Sequence, residues 1–175
     1  PAVYGHEAAG IVQGIGEDVK GLRCGVPVVV TLLRSCGDCF FCRQRQESLC
    51  ETRFPLDESS PITDQQGIPI GHGLRTGAFA DEVVVHATQV VEIPPDLPMD
   101  SAALLSCGVI TGVGAVKNVA AVPAGASVVT IGMGGVGVNC VQGAALSNAK
   151  LNIALDLSSD KLKAMSCFGA THVIN

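Results

Sequence analysis

The residues best equipped for chemistry are four cysteines, Cys36, Cys39, Cys42 and Cys50, spaced C-x2-C-x2-C-x7-C. Thiolates this close in sequence repel one another unless a cation holds them, and four sulfurs suit tetrahedral zinc. The C-x2-C-x2-C portion also resembles ferredoxin runs, but those continue x3-C-P. Here the last gap is seven residues and Glu51 follows, which favours zinc over an iron–sulfur cluster. A zinc closed by four cysteines keeps no open coordination position, so such a metal holds a loop and performs no reaction. The plainer alternative is four buried thiols with no metal. Arg34, Arg43 and Arg45 lie near this negatively charged centre.

A second group with chemical potential is Gly132, Gly134 and Gly137, which form G-x-G-x-x-G with Gly135 as an extra glycine. The triplet stands where a strand should end and a helix begin, the context that makes it a dinucleotide fingerprint. The first glycine permits the tight turn, the second lets the backbone approach the pyrophosphate, and the third lets helix pack on strand. Helix N-terminal amides then face the phosphates. Asp156 ends the next strand, 24 residues after Gly132. A carboxylate there accepts from both adenine-ribose hydroxyls and repels a 2′-phosphate, so NAD is favoured over NADP. The alternative is that the glycines serve packing alone and Asp156 caps a helix. His6, Glu7 and Cys107 are a third group, and nothing in their individual surroundings marks them as ligands. His72, His86 and His172, with Cys24, Cys140 and Cys167, read as surface or packing residues.

These groups need elements to position them. Residues 9–16, 26–33 and 82–92 are β-branched, partly alternating and punctuated by Gly and Pro, which predicts strands. The polar stretch 51–76 is a long irregular excursion. Residues 1–105 therefore read as a β-domain carrying a metal lobe at 34–52. From residue 98 small and apolar residues recur at helical spacing, with Asp100 as the expected N-cap. A strand at 127–131, a helix at 136–148, a strand at 150–156, a helix at 158–168 and a strand at 171–175 follow. That order, β-α-β-α-β over 106–175, is the first half of a doubly wound parallel sheet. The fold class is thus mixed α/β.

Bulk properties narrow the partners. Residues 1–105 hold seven Lys and Arg against fourteen Asp and Glu, and residues 106–175 hold four against two. The acidic half argues against nucleic acid as a partner. Asn118 to Ala149 contains no charge, but Pro123 and the glycines at 132–137 break it into two short elements, which argues against a membrane span. Eight cysteines, half of them in metal-like spacing, suit a reducing cytoplasm.

Taken together the motifs resemble the zinc-dependent medium-chain alcohol dehydrogenases over nearly the whole chain. Gly5-His6-Glu7-Ala8-Ala9-Gly10, then Gly16 and Val19, is similar to that family's zinc signature, and Cys107-Gly108-Val109-Ile110-Thr111-Gly112 to its second zinc-ligand segment. The cysteine loop and the glycine turn complete the order. LLSCGVITGVGAV and VQGAAL resemble the thiol-dependent formaldehyde and aryl- or allyl-alcohol branches. The resemblance implies a partial GroES-like domain followed by half a Rossmann domain. It implies two zincs per subunit, with His6 and Cys107 on the catalytic one and Glu7 beside or exchanging onto it. Thr111 and Val136 are then expected against the nicotinamide, and Lys161 beside the adenosine ribose. The implied reaction moves hydride from a zinc-bound primary alcohol, or a thiol–formaldehyde adduct, to NAD, in a homo-oligomer (dimer or tetramer). A non-catalytic zinc- and nucleotide-binding module is the competing expectation. The family's first catalytic cysteine and its proton relay are expected before Pro1 and the closing strands after Asn175, so the chain reads as an internal piece. Gly25-Val26 replaces the usual Gly-Asp.

Overall fold

The computed structural model describes residues 1–175. They divide into two compact units, Pro1–Cys107 and Gly108–Asn175.

In the first unit, β1 (Ala2–Val3), β2 (Ala8–Ile11), β3 (Pro27–Val30), α1 (Phe40–Arg43), α2 (Pro55–Glu58), β4 (Gly71–His72), β5 (Val90–Glu92) and α3 (Met99–Leu104) follow in chain order. β2, β3 and β5 form an antiparallel sheet in the order β2-β3-β5, with Ala8 opposite Val30 and Val30 opposite Val90. β1 and β4 pair in parallel. Apolar, β-branched Val28, Val29 and Val30 are buried on the central strand, where branched side chains pack well. α3 lies on this sheet, and Ala102 joins Val29 and Ile93 in the core, packed by Ala9 and Leu97. This is the partial β-barrel with its cysteine lobe.

Four expectations need correction here. That of a strand over 26–33 is met only at Pro27–Val30. The strand predicted over 82–92 forms only at Val90–Glu92, and residues 87–89 make a short 3-10 turn instead. Residues 82–85 line a groove of about 800 Å³ with Ala8–Gly16, so no neighbouring strand completes a ladder there. β-branched composition favours pairing but cannot supply the partner. Likewise the strand predicted over 9–16 stops at Ile11, although bonds between Val12 and the Gly25–Val26 segment extend the pairing slightly. Finally, Pro98 and not Asp100 is the N-cap of α3. Asp100 sits in the first turn and accepts from the Ser101 amide, where its charge still suits the helix N-terminus.

The helix begun by α3 continues through a π segment at Leu105–Val109, α4 (Ile110–Gly114) and a second π segment at Ala115–Val119. By length and composition Met99–Val119 could cross a membrane. In the first unit Ala102 and Ser106 of this stretch are buried, and in the second unit Gly112 and Val116 are.

The second unit runs β6 (Ser127–Ile131), α5 (Gly135–Leu146), β7 (Leu151–Leu155), α6 (Ser159–Lys163) and β8 (His172–Ile174). Its three strands are parallel, in the order β6-β7-β8, with Ile131 beside Leu155 and Leu155 beside Ile174. The helical stretch predicted at 158–168 is broken at Ala164 into α6 and a 3-10 turn at Met165–Phe168. Met133, Val141, Ala154, Leu162 and Met165 form the core. Asn152 is buried among them, and its amide nitrogen donates to the carbonyls of Val141 and Gly169, while its Oδ1 is buried with no hydrogen-bond partner.

Candidate functional site

The four cysteine sulfurs converge. Cys36 lies six residues after β3, Cys39 is the N-cap of α1 and Cys42 lies within it, and Cys50 is the C-cap of the 3-10 turn at Glu47–Leu49. All four Sγ atoms lie within 4.8 Å of one another. Cys36 and Cys42 are 3.9 Å apart at sulfur, as are Cys39 and Cys50. A tetrahedron of sulfurs ~2.3 Å from zinc has edges of about 3.8 Å, so the cage fits that ion. The amides of Asp38 and Cys39 donate to Cys36 Sγ at 3.4 and 3.2 Å. The Thr52 hydroxyl, then these amides, draw the Cys36 thiol down to about 6. The Cys42 and Glu51 amides lower Cys39. Cys42 is buried, and that burial pushes its thiol up to about 12. The lobe therefore favours some thiolates unaided but needs a cation to ionise the buried one, the behaviour expected when metal binding releases protons.

Beneath the lobe runs a polar network that sequence reasoning missed. Arg34 is 3% exposed. Its Nε donates to Gln89 Oε1 at 2.6 Å, one terminal nitrogen to Asp57 Oδ1 at 2.7 Å, and the other to the Arg75 carbonyl at 3.2 Å. Gln89, fully buried, donates to the carbonyls of Thr31 and Arg75 and accepts from the His86 amide. Asp57 also accepts from the Phe54 amide, and so caps α2. Burial alone would raise the Asp57 carboxyl, but the Phe54 amide and the charges of Arg34 and Arg75 outweigh it and hold it below the usual carboxylate range. No local signal announces such a network, because Arg34 and Gln89 are 55 residues apart.

His6 and Cys107 are carried on elements that pack together. Gly5, at φ +92°, turns the chain between β1 and β2, and the neighbouring backbone is fixed by bonds from Phe79 N to Tyr4 O and from Ala78 N to Gly5 O. A Cβ on Gly5 would fall 2.8 Å from the Phe79 ring. His6 follows, half-buried, with Glu7 exposed just before β2. Cys107, half-buried, lies in the π segment that continues α3, and α3 packs on β2. A π-turn in a helix often marks a functional position. Imidazole and thiolate are borderline-soft donors that suit zinc, with further coordination positions open to other ligands.

The glycine turn is built in the second unit. Gly132 leaves β6 at φ +92°, and Gly134 caps α5. A Cβ on Gly137 would lie 1.8 Å from the Gly132 carbonyl oxygen, so only glycine lets this helix approach the turn. At Gly134 and Gly135 a Cβ would meet nothing within 4 Å, which leaves open space before the helix amides. Asp156, directly after β7, accepts from Met133 N at 2.6 Å and Ser158 N at 2.8 Å, and Lys161 Nζ is 3.9 Å away. The Ser158 amide first, then that of Met133, holds this carboxyl below its usual range. A carboxylate has about four acceptor sites, so these two amides do not exhaust it. Val136 is exposed on the first turn of α5, and Gly112, next to exposed Thr111, abuts the Val136 carbonyl and Asn139.

A β-domain with a thiolate lobe, joined in sequence to a glycine-turn sheet, defines a class of dehydrogenase. The chain belongs to the alcohol dehydrogenases with a GroES-like domain, whose family model, "Alcohol dehydrogenase GroES-like domain", matches residues 1–95. It is similar over its full length to the alcohol dehydrogenase of Malus domestica (37% identical) and to the class-3 alcohol dehydrogenase of Pisum sativum (38%), covering 48% of each. Among solved structures it is similar to an alcohol dehydrogenase zinc-binding domain protein from Burkholderia ambifaria, at 34% identity and TM-score 0.91. Benzyl alcohol dehydrogenase from Acinetobacter calcoaceticus is similar at 31% and 0.86. All of this chain and 49% of each of those two chains is covered. The chain thus spans about half the length of the curated relatives it matches.

Proposed function

We propose that the whole protein is a zinc-dependent oxidoreductase that moves hydride from a primary alcohol, or a thiol–formaldehyde adduct, to NAD. The observation that carries this reading is the glycine turn with Asp156 beside it: open space before α5, and a carboxylate with acceptor capacity to spare. In this reading the amides at Gly134 and Gly135 receive the pyrophosphate. Asp156 accepts from both ribose hydroxyls and repels a 2′-phosphate, with Lys161 alongside. Thr111 and Val136 pack against the nicotinamide, which supplies the hydride-accepting carbon when bound.

His6 and Cys107 hold the catalytic metal, and Glu7 stands next to it in the chain. Zinc bound there supplies a Lewis acid that lowers the pKa of a substrate hydroxyl. The four-cysteine lobe holds the second, structural zinc. We also assign the protein to the cytoplasm, a reading supported by the thiol-rich lobe, and, by its likeness to the family, to a homo-oligomer.

The test is direct. The whole protein is incubated with NAD or NADP and a panel of primary alcohols, including aryl alcohols and formaldehyde with a thiol, while reduced nicotinamide is followed by absorbance. Two zincs per subunit and turnover favouring NAD are expected. A protein with bound zinc that oxidises none of these alcohols with either cofactor would refute the assignment.

A further inference from the structure

We propose that Arg34 and Asp57 form a clasp that sets how tightly the four-cysteine lobe retains its metal. The inference rests on the reading that the lobe holds zinc, and it concerns residues that touch no sulfur. All four cysteines lie between these two residues in the chain: Cys36 is two positions after Arg34, and Cys50 is seven before Asp57. The ion pair, at 2.7 Å, therefore closes residues 35–56 into a loop at its base.

The clasp is anchored and not merely present. Each guanidinium nitrogen engages a different segment: Gln89 just before β5, Asp57 on α2, and the Arg75 carbonyl after β4. The Arg34 side chain is fully inaccessible, and that of Asp57 is 20% exposed. Arg75 Nε adds a second contact to Asp57 Oδ1 at 3.3 Å. The Phe54 ring centroid lies 5.9 Å from the guanidinium carbon, and the ring packs at a tilt of 59° against His86. Gln89 in turn holds the Thr31 carbonyl at the end of β3. The sheet is thus connected through one buried cation to the chain leaving Cys50.

A metal leaves a four-sulfur cage one ligand at a time, and a detached sulfur rebinds if its backbone stays in place. Escape requires the two halves of the lobe to separate. The clasp opposes that separation, and a desolvated, hydrogen-bonded pair resists opening more than an exposed one. The exposed Arg43–Asp38 pair, formed wholly inside the lobe, has no such leverage.

The experiment measures zinc transfer from the zinc-loaded whole protein to an excess of colorimetric chelator at neutral pH. Asp57→Asn keeps an acceptor for the Phe54 amide but loses the charge. Arg34→Lys keeps the charge but cannot reach three partners. Partners outside the ligand sphere commonly change metal affinity by about 10–100-fold, and each variant is expected to release zinc about tenfold faster or more. Asp38→Asn should stay within about twofold of the parent, on the same scale. Hydrogen exchange is expected to rise in residues 35–56 of the two clasp variants and to stay unchanged in residues 127–155. Release within about twofold of the parent for both clasp variants overturns the proposal, as does loss of protection spread equally through 127–155. A parent with no zinc on the four cysteines brings down the metal reading itself, and the parent's metal count separates that failure from the others.

Discussion

Asp156 shows how a single side chain can serve fold and ligand at once. Its two oxygens already hold the Met133 and Ser158 amides, so it pins the glycine turn to the end of β7. Asp156→Gly should shift the whole protein's preference from NAD toward NADP, read as the ratio of kcat/KM values. An unchanged ratio removes Asp156 from the cofactor site. The same carboxylate sets a pH dependence. Its folded pKa is depressed, so its contribution to stability is present above the unfolded value of about 3.9 and is lost as pH falls through the lower folded value. The stability gap between the parent and Asp156→Asn should therefore be constant near neutrality and close below about pH 3.9, as followed by denaturant midpoints. Cys107→Ser should abolish alcohol oxidation while circular dichroism stays native. A variant retaining most of its rate refutes Cys107 as a ligand. Legibility at this scale was uneven: Cys36, Gly132 and Asp156 stand in spacings that carry meaning, whereas His6 and Cys107 acquire theirs only from family resemblance.

At the scale of elements, the glycine turn and the cysteine lobe are the two units most constrained by geometry. The Gly132 carbonyl occupies the place a Cβ on Gly137 would need. Gly137→Ala must push α5 away from β6, and a clash with backbone costs about 1–3 kcal/mol or more. Weakened NAD binding and a lower melting temperature are expected together, and calorimetry with a cofactor titration checks both. Cys42→Ser should remove the structural zinc, lowering the metal count by one per subunit and opening residues 35–56 to hydrogen exchange. If it instead empties only the catalytic centre, the two zinc assignments are interchanged. The β6–α5–β7 unit was readable from the chain within a residue or two, because apolar runs and glycines specify its turns locally. The 82–86 segment was not. Its valines satisfy every compositional rule for a strand, but a ladder requires a neighbour, and the facing side there is an open groove.

Across the whole molecule, two units of different chemistry share one polypeptide, and what each owes to the sequence differs. The metal lobe and the glycine turn were determined by the chain alone, because their donors lie within short stretches and closure needs few degrees of freedom. The parallel order β6-β7-β8 followed from alternating strand and helix patterns, since parallel strands demand crossover connections. Only the tertiary structure decided the Arg34 network, the length of the β5 strand and the pairing of β1 with β4. Each of these joins residues dozens of positions apart, and a buried guanidinium donates to whichever carbonyls and carboxylate the fold delivers to it. Spacing in a sequence specifies contacts made across a few bonds, whereas contacts made across the fold depend on the balance of burial and pairing throughout the chain.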